Sequence, residues 1–155
     1  MRLKQEKAYH HGNLRAGILQ RAAEVIAAEG IEALSLRGIA RDLGVSHSAP
    51  NRHFKNKAAL LSALAATGWL QVRDATLSAA EETGNDDPLV RLNAMGRGYM
   101  RWALQHRSLF RSLHHPDVNR FATDELKDAI SGFAETVREA VKKTQEAGRH
   151  PDVPL

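Results

Sequence analysis

Cysteine is absent from the 155 residues, and aromatic residues make up only 5% of them. Without thiols there is no disulfide frame, no thiolate metal site and no Cys nucleophile, and the composition suits a reducing cytoplasm, which is the expected location. No apolar run approaches the roughly 20 residues that a bilayer-spanning helix needs, so no membrane is expected as a partner. The stretch 1–13 is polar and lacks the apolar centre of a secretory signal. Segments of alternating apolar and polar residues, the mark of half-buried strands, are missing too. Among the eight His, two adjacent pairs occur, His10-His11 and His114-His115, but neighbours on a helix point apart and there is no His-Glu-x-x-His. A nucleophile elbow and a phosphate-cradling Gly-rich loop are also lacking. An enzyme, a metal site and a cofactor are therefore not expected.

What is present is helical spacing throughout, and the expected fold class is all-α. Leu14, Ile18, Ala22, Val25 and Ile26 share one face of a first helix, with Asn13 as N-cap and Gly30 as stop. Ser35 can cap a second, in which Leu36, Ile39, Ala40 and Leu43 recur as one buried stripe. Gly44 ends it, because Gly takes a left-handed conformation without a Cβ clash, and Ser46 is expected to cap a third, short helix running to about His53. Pro50 falls within its first turn or so, where a missing N–H is tolerable. A long fourth helix follows Asn56 and Lys57, with Leu60, Leu61, Leu64, Gly68, Trp69 and Val72 on its apolar face. After a break at 83–88, Asp87 and Pro88 start a fifth. A sixth is expected from Ser108 to about His114, a turn at His115-Pro116-Asp117, and a seventh from Thr123 or Asp124 to Gly148.

Charge is unevenly spread. Residues 1–57 hold ten Lys and Arg against five Asp and Glu, whereas the remainder holds twelve against thirteen. The positive third coincides with the turn-linked second and third helices, the grammar of a helix-turn-helix that places one helix end in the DNA major groove. Ser46, His47 and Ser48 stand at the start of the third helix, where hydroxyl, imidazole and free N–H groups can meet phosphates or base edges. Arg52 can fork onto a phosphate or a guanine. Lys55 and Lys57 lie just past the helix.

In Gly30, Leu34-Ser35-Leu36-Arg37-Gly38-Ile39-Ala40, Gly44-Val45-Ser46, His53-Phe54 and Lys57-Ala58-Ala59-Leu60, the chain resembles the tetracycline-repressor (TetR) family of transcriptional regulators. The pattern runs from about Asn13 to Leu61; beyond it the likeness is architectural. The resemblance implies a homodimer that binds a palindromic double-stranded DNA operator, as a repressor, and releases it when a small-molecule effector enters the C-terminal part. It makes Ser46 to His53 the recognition helix and adds phosphate contacts from Ser35, Arg37 and Lys57. The family usually carries an aromatic, most often Tyr, where this chain has Asn51, which can still donate to phosphate or read adenine. The arm Tyr9 to Arg15 is a further candidate for DNA contact.

The expected units are a DNA-binding domain at 13–60 and a helical regulatory domain at 61–155. The resemblance implies two further helices after the seventh, so the second unit is expected to be incomplete. Trp69, Met95, Tyr99, Trp102, Phe110 and Phe133, with Met100 and Phe121, are candidates to line an effector pocket between helices. An alternative is a helical ligand-binding or protein-interaction module that no longer reads DNA.

Overall fold

The computed structural model describes residues 13–148, and within them every regular element is helical. The α-helices are α1 (Leu14–Glu29), α2 (Leu36–Asp42), α3 (Lys57–Glu81), α4 (Pro88–Gln105), α5 (Arg107–Leu113), α6 (Pro116–Arg120) and α7 (Asp124–Glu146), with single turns of 3-10 helix at Ile31–Ala33 and Pro50–Arg52. Most α-helices begin at a side-chain cap. Asn13 accepts from the Ala16 N–H, Ser35 from Gly38, Asn56 from Ala59, Asp87 from Leu89 and Val90, and Thr123 from Leu126. Each satisfies donors that a helix start leaves without an intrahelical partner.

Two elements differ from the sequence expectation. The third helix is not α-helical: residues 46–54 form successive tight turns around the Pro50–Arg52 3-10 helix. The cause is Pro50. An α-helix needs an N–H at that position to reach the Ser46 carbonyl, and Pro has none. Ala49 N donates to Ser46 O at 2.9 Å instead, and both His53 N and Phe54 N donate to Pro50 O, at 3.0 and 2.9 Å. The second difference is at His115-Pro116-Asp117, which starts α6 rather than making a simple turn. Pro116 sits at the first helical position and His115 Nδ1 accepts from Asp117 N at 3.3 Å.

The long α3 is the spine. Near its start it meets α1; along its length it packs against α4, α7, α5 and α6. One apolar cluster runs from Ile18, Ile39 and Phe54 through Leu60 and Leu64 to Val72, Trp102, Leu113 and Leu126. The expected boundary after residue 60 thus falls inside an unbroken helix and a continuous core. α4 approaches α3 most tightly at Gly98, where a Cβ atom would lie 2.6 Å from the Ala75 carbonyl oxygen and 2.7 Å from Ala79 Cβ. Neither neighbour can rotate away. Gly98→Ala is therefore expected to push the two helices apart, with a net loss of up to about 2 kcal/mol after the helix preference of Ala is set against the overpacking. A lowered urea midpoint with an unchanged slope would show this; an unchanged midpoint would mean the contact relaxes freely.

The start of α7 is fastened to the N-terminal helices. Ser62, on α3, is fully buried; its hydroxyl accepts from Thr123 N at 3.0 Å and lies 2.9 Å from the Thr123 hydroxyl. Two residues on, Glu125 takes a two-pronged contact from Arg15 Nη2, 2.8 Å to each carboxylate oxygen. The Arg15 guanidinium also lies over the Phe54 ring, 5.5 Å from its centroid. Both partners of the ion pair are about half exposed, so it contributes little stability, but it fixes position.

Candidate nucleic-acid interface

The turn between α2 and the 3-10 segment is built by its backbone. Gly44, with φ +67°, lets Val45 N reach the Ala40 carbonyl at 3.0 Å while Gly44 N reaches Arg41 O at 3.1 Å. This paired 6→1 and 5→2 bonding is the Schellman closure of a helix, and it places a left-handed residue just past the end, where Gly is the unstrained choice. The chain then turns into residues 46–54. Pro50 and Phe54 point inward and are buried, while Ser46, His47, Ser48, Asn51, Arg52 and His53 are all exposed. Two apolar side chains thus pin a short polar ridge to the core, and the six polar residues lie together along it.

Ser46 does not cap the segment; its hydroxyl faces that of Ser48 at 3.4 Å. Ser35 uses one lone pair on the Gly38 N–H, and its hydroxyl proton remains available to donate. Arg37 and Lys55 are exposed beside the ridge, and among the described residues Arg37, Arg52 and Lys55 form no ion pair. Lys57 differs: it is half-buried and its Nζ donates to the Glu32 carbonyl at 3.4 Å. Arg21 pairs with Glu24 and Asp42 and ties α1 to α2; the hydrogen bonds it donates to these carboxylates, Glu24 first, raise its pKa. Asp42 also lies 3.5 Å from Arg41 Nε and lines a shallow groove together with Arg37 and His47.

Of the arm Tyr9 to Arg15, residues 9–12 lie outside the described residues. Asn13 caps α1 and Arg15 is occupied by Glu125 and Phe54. No local pattern announces that occupation, because Glu125 lies 110 residues away.

The candidate pocket residues divide. Trp69 of α3, Tyr99 of α4, Phe110 of α5 and Phe133 of α7 come together as half-buried rings. His114, at the end of α5, joins them, with ring centroids 5.0 Å from Phe110 and 5.7 Å from Trp69. Its i+4 spacing from Phe110 was the available signal. Trp102 packs instead on His106 at 4.8 Å, and Met95 lines a separate groove with Leu77, Ala80 and Ala140. Met100 and Phe121 are 55% and 52% exposed, so they face solvent rather than a pocket. Among the described residues no group of three His, Asp or Glu could hold a metal ion, and no helix is long and apolar enough to cross a membrane.

Residues 18–64, from α1 into α3, match the family of bacterial regulatory proteins called the tetR family. The solved structure of a protein of unknown function from Rhodococcus sp. RHA1 is 36% identical, with 92% of this chain and 73% of that chain covered and a TM-score of 0.77. A TetR family transcription regulator from Marinobacter aquaeolei VT8 is 24% identical over 90% of this chain and 72% of its own, with a TM-score of 0.70. The TetR family transcriptional regulator PfmR from Thermus thermophilus is 22% identical over 88% of this chain and 75% of its own, with a TM-score of 0.67. These last two share the fold. No curated protein matches the chain.

Proposed function

The chain belongs to the TetR family of bacterial regulatory proteins, and from that premise we propose that it is a ligand-responsive, sequence-specific DNA-binding repressor, not an enzyme, acting in the cytoplasm as a homodimer on a palindromic operator. The observation that carries this reading is the exposed ridge of residues 46–53, held by buried Pro50 and Phe54, with Arg52 on it and Arg37 and Lys55 beside it, none of the three in an ion pair among the described residues. Ser46, His47, Ser48, Asn51 and His53 supply short-range polar contacts; Ser35, Arg37, Arg52, Lys55 and Lys57 meet the backbone, Lys57 after releasing Glu32. Phosphate contacts set register, and base contacts set sequence.

The ridge is only one or two turns long, which favours few base contacts per subunit and a strong dependence on dimeric presentation, since two half-sites bind together. Selection of bound DNA from a random pool is the test. A recovered palindrome with half-sites about one helical turn apart is expected. No enrichment by a dimeric protein would sink the DNA reading and leave a ligand-binding or protein-interaction module in its place.

A further inference from the structure

A groove of about 440 Å³ opens where the end of α3, the start of α4 and the second half of α7 come together. That volume is typical of a small-molecule site. Leu77, Ala80, Met95 and Ala140 give the groove an apolar floor. Ala80 and Met95 are buried, while Leu77 is 39% exposed, so the described residues leave part of this apolar surface uncovered.

Four charges border the floor, two of each sign: Arg91 of α4 and Lys143 of α7, with Asp86 just before α4 and Glu139 of α7. Arg91 is half-buried and the other three are exposed. Among the described residues none of the four forms an ion pair, with one another or elsewhere. On α7 the contrast is internal to one helix. Glu139 precedes Lys143 by four residues, the spacing and order that favour an ion pair along a helix. The same helix forms three local pairs elsewhere, Asp124 with Lys127, Glu135 with Arg138 and Lys142 with Glu146, yet the pair beside the groove is left open. Thr136, also on the wall, donates its hydroxyl to the Gly132 carbonyl at 2.8 Å. The side-chain groups left to meet a ligand are therefore the charged ones.

The two signs together decide what fits. An organic anion would gain Arg91 and Lys143 but face two carboxylates, and an amine would meet the reverse. A neutral apolar molecule would cover the floor while taking water from the ions and returning no partner, which costs free energy. A molecule that carries both charges on an apolar body avoids each of these losses.

We propose that this groove binds a free α-amino acid with an aliphatic side chain. Its carboxylate accepts from Arg91 of α4, its ammonium donates to Glu139 of α7, and its side chain lies on Leu77, Met95 and Ala140; Asp86 and Lys143 balance each other beside it. That such a ligand acts as the effector rests on the proposed function, whereas its binding does not.

The test uses leucine, isocaproate and isoamylamine, which share one branched alkyl chain and differ in the charges it carries. Each is titrated against the whole protein by calorimetry and by NMR of isotope-labelled methionine methyl groups. Met95 lines the groove, whereas Met100 is 55% exposed and is not part of its lining, so the Met100 methyl serves as an internal control. Leucine is expected to shift the Met95 methyl and leave that of Met100 in place. It should bind about fivefold more tightly than either single-charge probe, the loss expected for one charged contact at a part-exposed site. Glu139→Gln should abolish the preference over isocaproate, and Arg91→Gln the preference over isoamylamine; a merely structural role for either residue would not sort the probes by charge. Equal binding of the three probes, a Met95 methyl unmoved by millimolar leucine, isoleucine and valine, or preferences unchanged in both variants would each overturn the proposal. The comparison of probes needs no variant, so it stands even if a substitution unfolds the protein. DNA selection is read separately: recovery of an operator without amino-acid binding refutes this site alone, whereas amino-acid binding without an operator refutes the regulatory reading alone.

Discussion

Phe54→Ala is expected to remove about 3–5 kcal/mol of stability and, with it, specific DNA binding. Phe54 is 3% exposed and belongs to the same apolar cluster as Ile18, Leu34 and Ile39. Its N–H closes the last hydrogen bond of the polar ridge onto Pro50, and its ring lies beneath Arg15. Truncation leaves a cavity at the point where the ridge, α1 and the start of α3 meet. Natural domains have a net stability of only about 5–15 kcal/mol, so the variant should be near the edge of folding. Urea unfolding measures the first effect, and fluorescence anisotropy with a selected operator measures the second under conditions where the variant remains folded. Phe54→Leu, which keeps most of the volume, should cost less than about 1.5 kcal/mol and retain binding. A loss below about 1 kcal/mol for the Ala variant, well short of an ordinary buried Phe, would show that the ridge does not depend on this ring.

The second large effect is electrostatic. Arg52 and Lys55 are exposed cations without an intramolecular ion pair among the described residues, so they are free to replace counterions on DNA. Each phosphate that a protein neutralises adds about 0.9 to the slope of log affinity against log salt. Changing both to Ala should therefore reduce the slope by about 1.8 per subunit if both meet phosphate. If Arg52 instead reads a guanine, its single Ala variant should leave the slope unchanged, lose about 1–3 kcal/mol on the best operator and tolerate base changes at one position. Affinity measured from low to moderate salt, on the operator and on scrambled DNA, separates these outcomes. An unchanged slope together with unchanged discrimination would remove both residues from the interface. Lys57→Ala should have a smaller effect than either, because its ammonium is already engaged by the Glu32 carbonyl.

The features legible in the sequence are local ones. Asn13, Ser35 and Asp87 cap the helices that their positions announce, because a cap acts within three residues of itself. Gly44 closes α2 for the same reason. The stripes of α1 and α2 are readable because each helix buries a single face. Pro50 is visible too, but in sequence it reads as a tolerable loss at a helix start, whereas the missing N–H tightens the whole segment into 3-10 turns. Met100 and Phe121 show the limit of periodicity, which says that apolar side chains share a face and not whether another helix covers it. Within the candidate site, the grouping of exposed polar residues follows from the motif, whereas the withdrawal of Arg15 and the part-commitment of Lys57 depend on partners 110 and 25 residues away. The aromatic cluster draws on four helices, and only the residue types, not their meeting, can be read from the chain alone.

The fastening of α7 to Arg15 and Ser62 makes residues 15 to 125 a closed mechanical loop. The DNA-facing third is therefore not a detachable head. Because one apolar core also runs through both parts, the N-terminal third is expected to unfold together with the body behind it, in a single transition.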